Sequence, residues 1–304
     1  MSFDLAELRE VFGDRLRENV DLSRYSAAQI GGPATAFLIA DKVDELVEYA
    51  TILWRKGLRF QVIGGGTNLL FSDKGISDVV ILNRAKNYDL LVDDSPFYVR
   101  ADSGINFGAL ARQTASRGFS GLEWAAGIPG TVGGAVFGNA GAHGSDMMSS
   151  LIMAEILHRK TGREKWPVDK MKYEYRSSCL KRQPGDVVIL SAELRLRKSS
   201  RESAQELIDE YSEYRHRTQP PGASMGSMFK NPPGDYAGRL IEAAGLKGSS
   251  IGGAQISPKH ANFFVNTGSA TAGDVYRLIE LARTMVYEKF GVKLELEIEL
   301  CGDW

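Results

Sequence analysis

Ser227 stands in the stretch GASMGSMFKNP (222–232), between Gly226 and the apolar pair Met228-Phe229, with a Lys230-Asn231-Pro exit. Two readings compete at such a position. The glycine hinge can simply turn the chain, or it can hold a hydroxyl at a reaction centre. A serine hydroxyl is a poor acid, so the second reading needs an electron-rich acceptor and an aligned geometry. Gly226 permits the tight turn that such alignment requires.

Glycine supplies a second chemical signal. In IGGGTNLL (63–70), Gly64, Gly65 and Gly66 follow a strand-like run, LRFQVI. Without β-carbons, successive backbone N–H groups can converge on an anion, although a tight turn needs the same residues. The spacing is not the dinucleotide fingerprint, because Leu69 stands where its last glycine belongs, and the chain contains no Gly-Lys pair of a P-loop. A second segment, GLEWAAGIPGTVGGAVFGNAGAHG (121–144), repeats glycine at 127, 130, 133, 134, 138, 141 and 144. It also carries Trp124, Ile128, Val132, Val136 and Phe137, which favour burial, so it is not a flexible linker. Glycine-rich backbone that is also apolar packs against something flat. Two such segments suggest one extended cofactor with a pyrophosphate and a ring system; a crossing of backbones is the structural alternative.

Composition narrows the class. The 304 residues carry 37 basic and 38 acidic side chains, which argues against electrostatic capture of nucleic acid. Cys179 and Cys301 make no disulfide framework, and neither they nor the four histidines fall in metal-ligand spacing, so no metal site is expected. The start, MSFDLAELREVFG, reads as a short acidic amphipathic helix rather than an export signal, and no run approaches the ~18 apolar residues of a membrane span. A cytoplasmic protein is expected.

The elements that would position these residues are mixed. Apolar periodicity predicts helices over 42–57, 106–118 (with Gly118 as C-cap), 236–244 and 271–290, and a polar helix before Pro220-Pro221. Strands are predicted at 58–63, 78–82, 97–102, 151–158 and 186–198, and in KLELEIEL (293–300), whose alternation gives one wet face. No regular βαβ or internal repeat occurs. The fold class is α+β, divided into 1–199 (lobes of roughly 1–65 and 66–199) and 200–304.

In this order, IGGPA (30–34), GGGTNLL (64–70), GIPGTVGGAVFGNAGAHG (127–144), YRSS (175–178), GSMFKNP (226–232), AGRLIEAAGLKG (237–248) and LELEIEL (294–300) resemble the UDP-N-acetylenolpyruvoylglucosamine reductases, a family of peptidoglycan-precursor flavoenzymes. The resemblance runs from about residue 25 to 300. It implies a two-lobed FAD-binding domain of the vanillyl-alcohol-oxidase type and a C-terminal domain for the UDP-sugar. It also implies non-covalent FAD, with NADPH as co-substrate and UDP-N-acetylglucosamine enolpyruvate as the partner. A monomer or weak oligomer is expected, with neither nucleic acid nor membrane.

Carried over motif by motif, the resemblance makes Ser227 the proton donor and Arg176 and Glu297 the enolate-stabilising pair. An always-charged guanidinium fork suits the carboxylate on which charge develops. By patterning alone, Arg176 is a surface residue and Glu297 is indistinguishable from Glu295 and Glu299. The flavin would meet Gly64, Gly65, Gly66, Thr67, Asn68 and Leu69, then Gly127, Ile128, Pro129, Gly130, Gly133, Gly134, Asn139, Ala140 and Gly141. Lys230 and Asn231 resemble residues near the substrate diphosphate and sugar, and His260 is a further substrate-site candidate.

This chain departs from the family pattern at Ala27, Gln29, His143 and Leu180, and the short interval from Arg176 to Ser227 matches the loop-less second subclass. Two alternatives are an FAD-dependent sugar or alcohol oxidase of the same fold and a non-catalytic flavin- or nucleotide-binding module. Residues 60–80 contain neither histidine nor cysteine for covalent flavin attachment. Acid precipitation should therefore leave a colourless pellet and release FAD into the supernatant; a yellow pellet would contradict non-covalent binding.

Overall fold

The computed structural model describes residues 4–93, 95–182 and 184–304. They form two compact units, one of residues 4–37, 66–79 and 216–304 and one of residues 38–65 and 80–215. Each has its own core.

In the first unit, the strands Ala223–Ser227, Phe263–Asn266, Ala254–Ile256 and Ser250–Ile251 pair antiparallel in that order. The helix Ala272–Phe290 packs on this sheet and on the helix Ala237–Ala243. Its first turn is fixed by a Thr271–Asp274 capping box and by Asp73, whose carboxylate accepts from the N–H groups of Ala272 and Gly273. Met228, Phe229, Phe264, Leu278 and Ile279 are fully or almost fully buried in the core between these elements. The chain start forms the helix Leu5–Phe12, capped by Asp4; residues 1–3 of the expected helical stretch lie outside the described residues. Arg17–Asp21 pairs antiparallel with the strand beginning at Pro33, and Leu69–Phe71 pairs parallel with Glu299–Cys301.

The second unit is built on a five-stranded antiparallel sheet: Gly162–Pro167, Leu151–His158, Val187–Arg195, Tyr98–Asp102 and Tyr88–Leu91. The helix Phe107–Ser116, capped by Asn106, buries Phe107, Leu110 and Ala111 in its core. Val43–Arg55 forms the helix expected from its period, with Leu46, Tyr49, Ala50 and Leu53 buried.

Two sequence expectations change, and one element appears that was not expected. KLELEIEL is not one strand: Leu296 makes an isolated bridge to Phe229, the chain bends at Glu297–Ile298, and regular pairing resumes only at Glu299–Cys301. Different partners on either side of the bend break the alternation. The helix over 106–118 ends on Arg117, with Gly118 one residue later at φ +81°. Inside the glycine-rich segment, Val132–Gly138 forms a 7-residue helix that sequence propensity opposes. Thr131 caps it through the N–H of Gly134, and burial of Val132, Ala135 and Val136 supplies the packing.

Candidate active site

Ser227 owes its place to an irregularity in its strand. Ser224 pairs with Val265 and Ser227 with Phe263, so three steps along one strand match two along the other. Gly226 sits in this bulge at φ +76°, a conformation costly for any residue with a β-carbon. The bulge places Ser224 and Ser227 on the same face, and Met225 and Met228 are buried. The serine is half-buried, and among the described residues its hydroxyl makes no hydrogen bond.

The segment after Ser227 is gripped from two sides. Buried Asn262 accepts from the Phe229 N–H at 2.9 Å and donates to the Phe229 carbonyl at 2.8 Å, while its own carbonyl accepts from Met228 N–H. On the other side the residues around Glu297 run antiparallel. Glu297 N–H donates to the Met228 carbonyl at 2.9 Å, and Lys230 N–H to that of Glu295 at 2.9 Å. Asn68, at the end of the first glycine segment, donates its side-chain amide to the Glu297 carbonyl. The structure thus brings Ser227, Glu297, Lys230 and Asn68 onto one framework. It also separates the three glutamates. Glu295 is exposed and paired with Lys230 at 3.4 Å, Glu297 is half-buried at the bend, and Glu299 lies in the pair with Leu69.

Asn231 and His260 have structural work here. The Asn231 carbonyl oxygen accepts from Ala237 N–H, at the start of a helix. His260 Nδ1 accepts from Asn262 N–H, its ring meets Phe263 edge-on at 4.9 Å, and burial lowers its pKa. Sequence reading did not single out Asn262; an amide between Ala261 and the buried Phe263-Phe264 was the available signal.

In the second unit the two glycine segments meet. A β-carbon on Gly64 would lie 2.4 Å from the Thr131 hydroxyl oxygen, and one on Gly133 would lie 2.9 Å from the Ser103 carbonyl oxygen. Gly130 accepts from Phe107 N–H, and Ile128 and Ala140 donate to Ala125 and Ala135. Gly134, by contrast, is exposed, and a β-carbon on Gly138 would meet nothing within 4 Å. One helix turn apart, they leave an open strip without side chains, on which a planar group can rest. These residues fit a flavin nucleotide.

Arg176 is tied to the end of the same glycine-rich segment. It occupies position three of the tight turn Glu174–Ser177 at φ +54°, a conformation rare for arginine. Its guanidinium donates to the Gly141 carbonyl at 2.7 Å. Asn139, buried at φ +48°, donates to the Glu174 carbonyl and accepts from Met148 N–H. Tyr173 and Ser178 donate to the Val136 and Phe137 carbonyls at the open end of the Val132–Gly138 helix. Burial raises the Tyr173 pKa, which keeps its hydroxyl a donor.

At the departures from the family pattern, Ala27 donates its N–H to the Gly66 carbonyl and Gln29 adopts φ +56°. Leu180 is buried, and His143 stacks on Tyr211. Cys301 is half-buried, and desolvation pushes its thiol up to about 12.

Two variants test this geometry. Gly65 is the exposed member of its triplet, so Gly65→Val should abolish FAD binding while keeping the fold, whereas Gly66→Ala would put a β-carbon 1.8 Å from the Tyr25 carbonyl oxygen and disrupt the fold itself. Circular dichroism and flavin absorbance separate the outcomes; full FAD loading in Gly65→Val would make the triplet only a turn. Asn262→Ala should cost about 2 kcal/mol in urea unfolding, because two buried Phe229 groups lose their partner. A change below ~0.5 kcal/mol would remove Asn262 from this role.

Comparison with known proteins agrees with this architecture. Residues 217–301 match the family described as UDP-N-acetylenolpyruvoylglucosamine reductase, C-terminal domain, and residues 34–164 match that described as FAD binding domain. The chain is 42% identical to the UDP-N-acetylenolpyruvoylglucosamine reductase of Chloroflexus aggregans, over 96% of this chain and 100% of that protein. It is 40% identical to the reductase of the same name from Bacillus subtilis, over 98% of each. The crystal structure of UDP-N-acetylenolpyruvylglucosamine reductase from Thermus caldophilus superposes with a TM-score of 0.80 at 34% identity, covering 94% of this chain and 99% of that one.

Proposed function

Because the chain belongs to the UDP-N-acetylenolpyruvoylglucosamine reductase family, we propose that Ser227, Arg176 and Glu297 carry the second half of its reaction. The protein is an FAD-containing, NADPH-dependent oxidoreductase that reduces the enolpyruvyl group of UDP-N-acetylglucosamine enolpyruvate, giving UDP-N-acetylmuramate for peptidoglycan. Its fold is α+β, an FAD-binding domain with the family's C-terminal domain. A sugar or alcohol oxidase would have no use for that C-terminal domain, which occupies residues 217–301.

Backbone from Gly64 to Leu69 and from Gly127 to Gly141 would hold the flavin, with the strip left bare at Gly134 and Gly138 beneath it. Bound there, FAD would supply the hydride chemistry. What remains is the work of side chains. Hydride addition at the terminal carbon of the enolpyruvyl group leaves an electron pair on the adjacent carbon, delocalised into the carboxylate. Arg176 stabilises that charge, and its strained, hydrogen-bonded mounting means little reorganisation as the charge forms. Glu297 completes the stabilising pair. The Ser227 hydroxyl then gives its proton to the adjacent carbon.

The Gly226 bulge carries the Ser227 assignment, because it turns a hydroxyl out of a strand beside the framework that fixes Glu297. Lys230, half-buried and only weakly engaged by Glu295, is available to a diphosphate; Asn231 and His260 support the same substrate region. By function we divide the chain into residues 1–199 for the flavin, in lobes of roughly 1–65 and 66–199, and 200–304 for the UDP-sugar. No described helix is long and apolar enough to cross a membrane. We place the enzyme in the cytoplasm, as a monomer or weak oligomer without nucleic acid.

Anaerobic stopped-flow at the flavin absorption band separates the two half-reactions. Ser227→Ala should retain FAD and its bleaching by NADPH, but slow re-oxidation by the enolpyruvyl substrate ~10²–10⁴-fold. Ser224→Ala, on the same face, should do much less. Slowed NADPH reduction, or unchanged re-oxidation, would overturn the assignment. Glu297→Gln should likewise lose far more turnover than Glu295→Gln or Glu299→Gln, and equal losses in all three would remove Glu297 from the mechanism.

A further inference from the structure

The carbonyl on which Arg176 rests belongs to a very small hairpin. Gly141–Ala142 pairs antiparallel with Ser145–Asp146, two residues to a strand. His143 and Gly144 make its turn at φ +53° and +78°. Two successive positive φ values are those of a type I′ turn, which asparagine or glycine fills best. Histidine is carried there at a conformational cost, so its ring has contacts to offset it. A ladder this short is marginal by itself and takes its shape from what holds it outside.

Arg176 is seated directly on this ladder. Its guanidinium donates to the Gly141 carbonyl at 2.7 Å, and a β-carbon on Gly141 would lie 3.0 Å from its other terminal nitrogen. A shift of the hairpin is therefore a shift of the guanidinium. The base of the hairpin is fixed by Met147 N–H, which donates to the Ala140 carbonyl, and by the capping box of Asp146 with Ser149. Its tip reaches a different element. The His143 ring stacks on Tyr211 at 4.0 Å and 14°, and Tyr214 meets it edge-on at 5.8 Å. These tyrosines lie three residues apart on one face of the helix Arg201–Thr218, whose Ala204 and Ile208 are buried in the core of the second unit. Against a ladder of two residue pairs, such a ring contact is comparable with one of the ladder's own hydrogen bonds. Burial first, then the charge of Arg215, lower the His143 pKa, and Glu210 opposes them, which favours the uncharged imidazole against Tyr211.

We infer that His143 is a positioning residue for Arg176: its stack on Tyr211 fixes the hairpin Gly141–Asp146, and with it the guanidinium, to the helix Arg201–Thr218. The inference rests on the charge-stabilising role proposed for Arg176. It extends the site to a helix that neither glycine segment contains.

His143→Asn removes the ring and leaves a side chain suited to the turn, so the hairpin can still form. Re-oxidation of the reduced flavin by the enolpyruvyl sugar should slow ~10-fold or more, while bleaching by NADPH stays within about twofold and KM for the sugar within about threefold. Hydrogen exchange across residues 141–146 should quicken in the same variant. Tyr211→Leu removes the stack from the helix side and should reproduce the pattern; it carries the test if His143→Asn does not fold. The double variant should lose no more than either single one, because one contact is removed twice. Equal slowing of both half-reactions, or loss of FAD, would make His143 a residue of general stability and overturn the inference, as would unchanged exchange and re-oxidation. Arg176→Met is measured in parallel. Wild-type re-oxidation in that variant would sink the role of Arg176, and the exchange data would then decide alone whether His143 holds the hairpin.

Discussion

The missing β-carbon of Gly64 is the point on which the second unit turns. Its place lies within reach of the Thr131 hydroxyl, which in turn caps the helix Val132–Gly138 through Gly134 N–H. Any side chain at Gly64 would displace the capping residue, loosening the helix that carries the open strip. That helix is unfavourable on its own, with glycine at 133, 134 and 138 costing up to about 1 kcal/mol each relative to alanine. It persists because both its ends are held. Thr131 secures the first turn, and Tyr173 and Ser178 satisfy the carbonyls of the last. The loop that closes the helix is the loop that carries Arg176, so the open strip and the arginine have one mounting.

The first unit solves the same problem with amides. A strand interrupted by a bulge cannot form a regular ladder, yet its buried peptide groups still need partners. Asn262 supplies a donor and an acceptor to Phe229 as a neighbouring strand would. Asn266 does so for Ala28 on one side and Gly268 and Ala270 on the other. In the second unit Asn139 acts alike, between Glu174 and Met148. Asparagine is short enough to hold its amide rigidly, so these loops gain definition without pairing along their length.

The sequence made some of this legible and concealed the rest for identifiable reasons. Val43–Arg55 and Ala272–Phe290 were readable because burial follows one helical face. The strands of the antiparallel sheet were readable as apolar runs bounded by turns. KLELEIEL misled because alternation records which residues are buried and not whether one partner strand runs alongside. The Val132–Gly138 helix was invisible because packing, not propensity, makes it. Ser227, Arg176 and Glu297 were selected by resemblance to a family. Residue patterning alone offered only Gly226 as a hint, since a bulge depends on a neighbouring strand about 40 residues away.

That bulge makes chain length, more than composition, the variable to which this strand is most sensitive. Side chains alternate across a sheet, so the extra residue at 225–226 fixes the parity of everything after it. With it, Ser227 shares a face with Ser224 and Met228 enters the core. Deletion of one residue would reverse both, sending a methionine outward and the hydroxyl toward Phe264 and Ile279. Substitutions along 223–227 perturb one contact at a time; a change of length there inverts the whole segment. Residue 225 is held by burial as well, but it is the count between Ser224 and Ser227 that decides which face the hydroxyl takes.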